Sequence, residues 1–275
     1  MPWKLFEESV FNYLIENIAS EDLKFEYLGN RDSTKGDIAV IYRNNKIFNI
    51  ECKENKSQSS QFVLELDREK EIFFFSKKNK SISSKANKII CHMNNNFNYY
   101  SKLKKSNYLN NKLLCKKELL YEFVIDNLIS KGSKFIATAE NLEELNSKKN
   151  IIFFSTNQLE NYFNVFATFR TKQSGSRNPN KENLTSFPYE TIEIEKSKKK
   201  CYFIYDKNSK IPDRIGENFF LAKADPSSGL RKVRIRGKTK NHNVIFSLYL
   251  KKSFKNTSDD YYIKKLILHE IHKHI

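Results

Sequence analysis

Residues 36–53 decide the fold, and they read GDIAVIYRNNKIFNIECK. Two runs rich in β-branched and aromatic residues, Asp37 to Tyr42 and Lys46 to Lys53, are separated only by Arg43-Asn44-Asn45. Residues of these types favour strands. Two such runs so close together in sequence predict a β-hairpin.

The register of this hairpin decides which side chains meet. With a turn of three residues, Ala39 pairs with Asn49, and Asp37 lies opposite Glu51 at about 5 Å. Because side chains alternate between the two faces of a strand, Glu51 and Lys53 project from the same face. The hairpin is therefore expected to gather two carboxylates and one amine.

These groups suit metal-dependent hydrolysis. Two carboxylates opposite each other repel. A cation that prefers oxygen ligands, such as Mg²⁺, would offset the repulsion between Asp37 and Glu51 by binding to both. Lys53 could then orient or help deprotonate an attacking water, and Glu7 on the preceding helix could add a third carboxylate. The alternative is a solvated hairpin face, since this pattern of Asp, Glu and Lys also arises by chance.

The rest of the chain predicts a mixed α/β protein, because helical and strand-like patterns alternate along it. Helices are expected at 3–18, 64–75, 84–99, 117–129 and from Asp260 onward. Strands are expected at 135–139, 151–155, 165–170, 202–205, 230–236 and 243–250, with a helical turn at 158–163. A loop rich in Ser, Gly, Asn and Pro at 174–187 marks a boundary between units.

The charge of the chain indicates a class of partner. Its 275 residues include 49 Lys and Arg against 32 Asp and Glu, and the net charge of +17 at pH 7 is spread along the sequence. Such a charge favours a polyanion, above all nucleic acid. Lys- and Asn-rich sequences also arise in AT-rich genomes, where basicity has no such meaning.

Several classes of site and location are disfavoured. The four cysteines have no C-x-x-C spacing, which argues against a zinc site and a dense disulfide framework. His269, His272 and His274 match neither a zinc finger nor H-E-x-x-H, so we expect no metal site there. The N-terminus is acidic and no apolar run reaches about 18 residues, so we expect a cytoplasmic protein that is neither exported nor membrane-spanning.

The polar segment 170–177, at the end of the strand expected at 165–170, contains residue types that can contact the edges of DNA bases. Arginine can donate two parallel hydrogen bonds to guanine, while Gln and Ser can contact other base edges. Taken alone, the segment fits an ordinary polar loop better. The candidate readers are Arg170, Lys172, Gln173, Ser174, Ser176 and Arg177.

A second basic segment, residues 231–240, holds six Lys or Arg and no acid. In a strand, Val233 and Ile235 would face a core, while the cations at even-numbered positions would share the other face. Such a face grips phosphates without reading sequence. The alternative is an edge strand protected by charge against aggregation. The cations concerned are Lys232, Arg234, Arg236, Lys238 and Lys240.

Segments in order from end to end carry a family resemblance. They are Trp3-Lys4, Phe6-Glu7, Asp32-Ser33-Thr34, Asp37-Ile38, Glu51, Lys53, Ser57-Gln58, and residues 61–64, 162–165, 170–177 and 243–247. On these segments the chain resembles HhaI-type restriction endonucleases of the PD-(D/E)xK superfamily, which look related to the HinP1I and MspI enzymes. Two departures stand out: the spacing from Asp37 to Glu51 is longer by about one hairpin extension, and Gln173 replaces an expected basic residue.

The resemblance implies a PD-(D/E)xK core with additional small mixed-sheet units. We expect a catalytic unit at 1–110, a sequence-recognition unit at 111–184 and an accessory DNA-binding unit at 185–275. It also implies catalytic roles for Asp37, Glu51 and Lys53, with Glu7 as a further member, and it favours base readout over the polar-loop interpretation.

The activity implied is that of a magnesium-dependent type II restriction endonuclease. It would act as a monomer on double-stranded DNA at a short GC-containing palindrome, with GCGC as the leading candidate. A cognate cytosine methyltransferase would protect host DNA without forming a stable complex. Two alternatives stay open: a structure-specific or repair nuclease with the same chemistry, and a DNA-binding protein without catalysis.

Overall fold

The structure is a computed structural model. The chain forms two compact units, one of Met1–Arg170 with Val244–Ile275 and one of Thr171–Asn243. The residues it describes are 2–29, 35–77, 79, 83–103, 111–140, 151–172, 179, 184, 187, 193–195, 200–204, 214–215, 219–223, 232–237, 241–251 and 258–274.

Helices and strands alternate along the described residues, which confirms the prediction of a mixed α/β protein. The helices are α1 Pro2–Asn17, α2 Ser84–Asn95, α3 Phe97–Lys102, α4 Lys117–Ser130, α5 Leu159–Tyr162 and α6 Asp260–His272. The strands are β1 Leu23–Tyr27, β2 Ile38–Tyr42, β3 Asn45–Cys52, β4 Ser57–Asp67, β5 Ile72–Phe75, β6 Ser133–Thr138, β7 Ile152–Ser155, β8 Phe163–Lys172, β9 Glu193–Glu195, β10 Lys200–Ile204, β11 Arg214–Ile215, β12 Phe219–Lys223, β13 Lys232–Gly237 and β14 Asn241–Leu250.

The first sheet has the order β1-β2-β3-β6-β7, and its neighbours are antiparallel except for the parallel pair β3–β6. Its hairpin β2–β3 turns through two residues, Arg43 and Asn44, which both have positive φ, at 47° and 67°. Such a turn matches the twist of paired strands. The ladder then shifts by one residue between Val40 and Ile41.

One hydrophobic core packs this sheet against the first and last helices. Phe6, Val10 and Leu14 repeat at helical spacing along α1, and Ile263, Ile267 and Ile271 do the same along α6. All six are buried, since a helix hides one apolar stripe against its neighbours. The two helices are also joined directly, because the Tyr13 hydroxyl donates a hydrogen bond to the Asp260 carboxylate.

A second sheet, with the order β5-β4-β14-β8, packs against α2 and α4 through a separate core. The helix expected at 64–75 is wrong, because this segment is the hairpin of β4 and β5. Phe62 and Leu64 alternate with more exposed neighbours along β4 and are buried. The charged residues 68–71 form the turn between the strands, and Glu71 adopts a φ of 53° there.

The unit Thr171–Asn243 contains a third sheet, in the order β11-β12-β13-β10-β9. Val233 and Ile235 of β13 are buried in its small core, at 1% and 0% exposure, while Arg234 and Arg236 are partly exposed on the other face. The predicted phase of this strand is therefore confirmed. The edge-strand alternative is wrong, because β13 lies at the centre of the sheet with a partner on each side.

The division into units differs from the predicted one. β6 and β7 follow the boundary expected at residue 110, yet they complete the same sheet as the β2–β3 hairpin. The reason is the parallel pairing of β3 with β6, which joins distant parts of the chain. The roles assigned to the three segments stay predictions.

The other predicted helices and strands agree with the described ones within a few residues. The helix expected at 84–99 is interrupted at Asn96, which separates α2 from α3. All four cysteines are free thiols. Among the described helices, none combines the length and apolar character that crossing a bilayer requires.

Candidate active site

The β2–β3 hairpin brings the predicted acidic and basic groups together. The expected pairing of Ala39 with Asn49 is confirmed, because a two-residue turn plus a one-residue shift gives the same register as a three-residue turn. Asp37 lies just before β2, and its carboxylate accepts a hydrogen bond of 2.7 Å from the backbone N–H of Cys52. Asp37 is thus fixed against the end of β3 that carries Glu51.

Glu51 and Lys53 form a buried ion pair, as their shared strand face predicts. The Lys53 Nζ lies 2.7 Å from the Glu51 Oε1, and the two residues are 9% and 1% exposed. Cys52, between them, points into the core on the opposite face. Beyond the end of β3, the Lys53 N–H donates to the Ala137 carbonyl at 3.0 Å, and the Thr138 hydroxyl donates to the Lys53 carbonyl.

Two further residues contact Glu51 that the sequence did not indicate. Lys131, just after α4, places its Nζ 3.4 Å from Glu51 Oε1, and the Ser133 hydroxyl, at the start of β6, donates to Glu51 Oε2 at 3.2 Å. Gly132, between them, has a φ of +77°, a conformation that favours glycine. In the sequence, the glycine between the helix expected at 117–129 and the strand expected at 135–139 is the local sign of this junction.

Asn49 of β3 forms two hydrogen bonds with the segment Lys131–Ser133, the junction between α4 and β6. Its Nδ2 donates to the Lys131 carbonyl at 2.6 Å, and its backbone N–H donates to the Gly132 carbonyl at 2.8 Å. Gly36 packs so closely that a Cβ there would lie 2.5 Å from the Asn49 Cβ and 2.8 Å from the Ser133 Oγ. The glycine that precedes Asp37 is therefore required by this close approach.

Helix α1 supplies the fourth predicted residue. Glu7 is buried, and the Tyr27 hydroxyl of β1 donates a 3.0 Å hydrogen bond to its Oε2. Burial and the nearby charge of Asp37 raise the pKa of Glu7 from 4.5 to about 7. The structure thus brings Glu7 into the electrostatic reach of Asp37, and it adds Tyr27, which the sequence did not indicate.

The pKa shifts of Asp37, Glu51 and Lys53 differ in direction and in cause. Burial raises the pKa of Asp37 to about 6, although the Lys53 charge opposes this. Burial also acts to raise the pKa of Glu51, but Lys53 and Lys131 outweigh it and hold that pKa below its ordinary value. The pKa of Lys53 is raised, because Glu51 and Asp37 outweigh the opposing effect of burial. At neutral pH, Glu51 and Lys53 are therefore both charged.

These carboxylates fit a magnesium ion. Within the described part of the chain, no three His, Cys, Asp or Glu side chains form a group that could hold a metal. Magnesium commonly uses only one or two carboxylates and fills its other positions with water and phosphate oxygens. The buried Asp37 and Glu51 offer this kind of oxygen donor, and burial raises the pKa of Asp37, which disfavours its charged form unless a cation is bound.

Comparison with solved structures finds a match over the entire chain. It is a structure of HhaI endonuclease in complex with DNA, which is 30% identical to this chain, with a TM-score of 0.68. The match covers 99% of this chain and 100% of that one. No protein-family model matches the chain, and no curated protein matches it.

This chain belongs to the HhaI-type restriction endonucleases. The mixed α/β fold, with its β2–β3 hairpin, is the PD-(D/E)xK-like core expected of an HhaI-type enzyme. The resemblance stated from short segments is confirmed, and so is the fold that it implied.

The expected DNA-contacting residues of this HhaI-type chain are only partly described. Arg170 is partly buried in β8, and Lys172 ends that strand. Arg234 and Arg236 share one face of β13, where they pair across the strands with Tyr202 and Phe220. Lys232 begins that strand. Gln173, Ser174, Ser176, Arg177, Lys238 and Lys240 lie outside the described residues.

Proposed function

We propose that this protein is a type II restriction endonuclease that hydrolyses duplex DNA at a short GC-containing palindrome, with GCGC as the leading candidate. The proposal is supported by the buried Glu51–Lys53 pair beside Asp37, in a chain that matches a DNA-bound restriction endonuclease over its full length. We further propose that it works as a monomer, in a restriction–modification system with a cytosine methyltransferase that protects host DNA.

Asp37 and Glu51 are the proposed magnesium ligands. When bound, Mg²⁺ would stabilise the negative charge that develops on the oxygens of the reacting phosphate. Glu51 is ready for this role at neutral pH, because Lys53 and Lys131 keep its pKa low and its carboxylate ionised. Asp37, with a pKa of about 6, is also mainly ionised at pH 7 and above.

Lys53 is proposed to orient the attacking water. Its raised pKa keeps the ammonium protonated at neutral pH, so it can donate hydrogen bonds but cannot accept a proton. This favours orientation over deprotonation, the two roles that the sequence left open. In the proposed step the water oxygen bonds to phosphorus as the bond from phosphorus to O3′ breaks. The water loses one proton and O3′ takes up one, which leaves 5′-phosphate and 3′-hydroxyl ends.

We propose that Glu7, next to Asp37, takes up and releases a proton during the reaction. A carboxyl with a pKa of about 7 is close to the working pH, where acid–base groups are most effective. The Tyr27 hydroxyl holds the Glu7 side chain in place. Glu7 can thus change its protonation state near the working pH, whereas Lys53 stays charged.

Recognition is proposed to come from two basic segments. The first would read base edges and the second would grip phosphates, which fixes orientation without sequence information. The proposed readers are Arg170, Lys172, Gln173, Ser174, Ser176 and Arg177, and the proposed phosphate ligands are Lys232, Arg234, Arg236, Lys238 and Lys240.

Plasmid digestion tests the function. Purified protein is incubated with unmethylated and cytosine-methylated plasmid in Mg²⁺, with EDTA and an Asp37→Asn variant as controls, and fragment ends are sequenced. Discrete fragments that share one terminal sequence are expected from unmethylated DNA alone, and only from wild type with Mg²⁺. Cleavage at branched or damaged DNA only would favour a repair nuclease, and binding without cleavage would leave a DNA-binding protein.

A further inference from the structure

Two lysines share one buried carboxylate in the proposed site. Lys53 Nζ and Lys131 Nζ lie 2.7 Å and 3.4 Å from the same oxygen, Oε1 of Glu51. The side chains of the two lysines are only 11% and 13% exposed. Burying a second ammonium costs desolvation free energy. Lys53 alone would face two carboxylates, because its charge acts on Asp37 as well as on Glu51, and Lys131 supplies the second positive charge of the cluster.

Lys131 is also held more firmly than a surface lysine. Asn49 of β3 binds its carbonyl at 2.6 Å, and the following Ser133 donates to the other oxygen of Glu51 at 3.2 Å. The backbone from Lys131 to Ser133 is therefore tied to β3 beside Glu51. The Lys131 ammonium extends from this backbone to the Glu51 carboxylate, and it can stay there while other groups move.

The proposed chemistry requires Lys53 to do more than pair with Glu51. To orient a water or contact a phosphate oxygen, its ammonium must turn some of its three donors away from the carboxylate. If Lys53 were the only cation there, this movement would leave the buried charge of Glu51 uncompensated, which is strongly unfavourable. A second fixed cation removes that obstacle.

We propose that Lys131 is a positioning residue of the nuclease site: its ammonium compensates the Glu51 carboxylate, so that Lys53 is free to engage the reacting water and phosphate. The assignment rests on the proposed nuclease function. Lys131 acts through Glu51 and Lys53 and does not itself contact DNA.

The test compares Lys131→Met with Lys131→Arg, which keeps the charge, and with the control Lys134→Met. Lys134 lies three residues further on and pairs with Glu270 of α6 at 3.5 Å, outside the Glu51 cluster. Three quantities are measured for each: the single-turnover cleavage rate with saturating enzyme in Mg²⁺, the DNA dissociation constant in EDTA by fluorescence anisotropy, and the melting temperature.

We expect Lys131→Met to lower the cleavage rate roughly 10- to 100-fold. This is the usual loss for residues that contact a metal ligand without binding the metal themselves. Its DNA affinity should stay within about twofold of wild type, since no phosphate contact is lost. Lys131→Arg should restore most of the rate, because the positive charge remains. Lys134→Met should cleave like wild type.

Three results would overturn the assignment. Lys131→Met could cleave at the wild-type rate, or it could bind DNA more weakly with an unchanged rate, which would make Lys131 a phosphate ligand. Lys131→Arg could be as slow as Lys131→Met with the same drop in melting temperature, which would make the role structural. If wild type itself cuts no DNA, the proposed function fails and the assignment falls with it.

Discussion

Replacing Glu7 with glutamine should stabilise the metal-free protein at pH 8 and have little effect at pH 5. Burial and the Asp37 charge raise the pKa of Glu7 from 4.5 to about 7, so the folded chain holds this proton more tightly than the unfolded chain. The resulting stability is fully present below pH 4.5 and is lost as the pH rises through about 7.

The size of the effect follows from the same two values. The interval from 4.5 to about 7 corresponds to ~3 kcal/mol at 1.36 kcal/mol per pH unit. Residual solvent contact reduces this, and we expect about 1–3 kcal/mol at pH 8. Glutamine is neutral at every pH, and its carbonyl oxygen can still accept the 3.0 Å hydrogen bond from Tyr27. The substitution therefore removes the charge and keeps the contact.

Urea denaturation at pH 5 and pH 8 in EDTA measures this prediction. Far-UV circular dichroism follows the loss of helices and strands. Glu8→Gln is the control, because Glu8 forms a surface ion pair with Lys4 and should change stability by less than about 1 kcal/mol at either pH. If Glu7→Gln changed stability equally at both pH values, the Glu7 carboxyl would not have a raised pKa in the folded protein.

Three further predictions concern the same cluster. Glu51→Gln removes the carboxylate that pairs with two buried lysines and should lower the free energy of unfolding by ~3–5 kcal/mol; an unchanged urea midpoint would contradict the buried pair. Gly36→Ala forces a Cβ to 2.5 Å from the Asn49 Cβ and should cost about 1–3 kcal/mol, seen as a lower melting temperature. Magnesium should raise the melting temperature more at pH 8 than at pH 5.5, because Asp37, with a pKa of about 6, must lose its proton to bind the ion; Asp37→Asn should remove this difference.

The β2–β3 hairpin could be predicted because its signals are local. Alternating side chains and a short turn fix which residues pair, so the Ala39–Asn49 register and the shared face of Glu51 and Lys53 were correct. The turn itself was wrong by one residue. The sequence does not show that a shift between Val40 and Ile41 offsets the shorter turn.

The contribution of the α4–β6 junction could not be predicted. Ser133 is 82 residues from Glu51, and they meet only because β3 pairs in parallel with β6. Side-chain patterns indicate that a strand forms but not which distant strand it joins. Lys131 therefore looked like any other lysine in a chain that holds 49 Lys and Arg.

The helix expected at 64–75 failed for a different reason. A helix there overlooks the alternation of Phe62 and Leu64 with more polar neighbours, which is the strand pattern of β4. In the structure the charged residues 68–71 form a turn, and Glu71 has a positive φ. A positive φ at a glutamate is uncommon, and no composition rule predicts it.

Asp37, Glu51 and Lys53 are proposed to form one hydrolytic site. Single-turnover cleavage of a duplex that wild type cuts, compared among wild type, Asp37→Asn, Lys53→Met and the control Lys85→Met, tests it most directly. Lys85 is a matched lysine that pairs with Glu122 of α4. We expect wild-type rates for the control and losses of at least about 100-fold for the other two variants, with DNA binding in EDTA retained. Cleavage near the wild-type rate by either Asp37→Asn or Lys53→Met would contradict it.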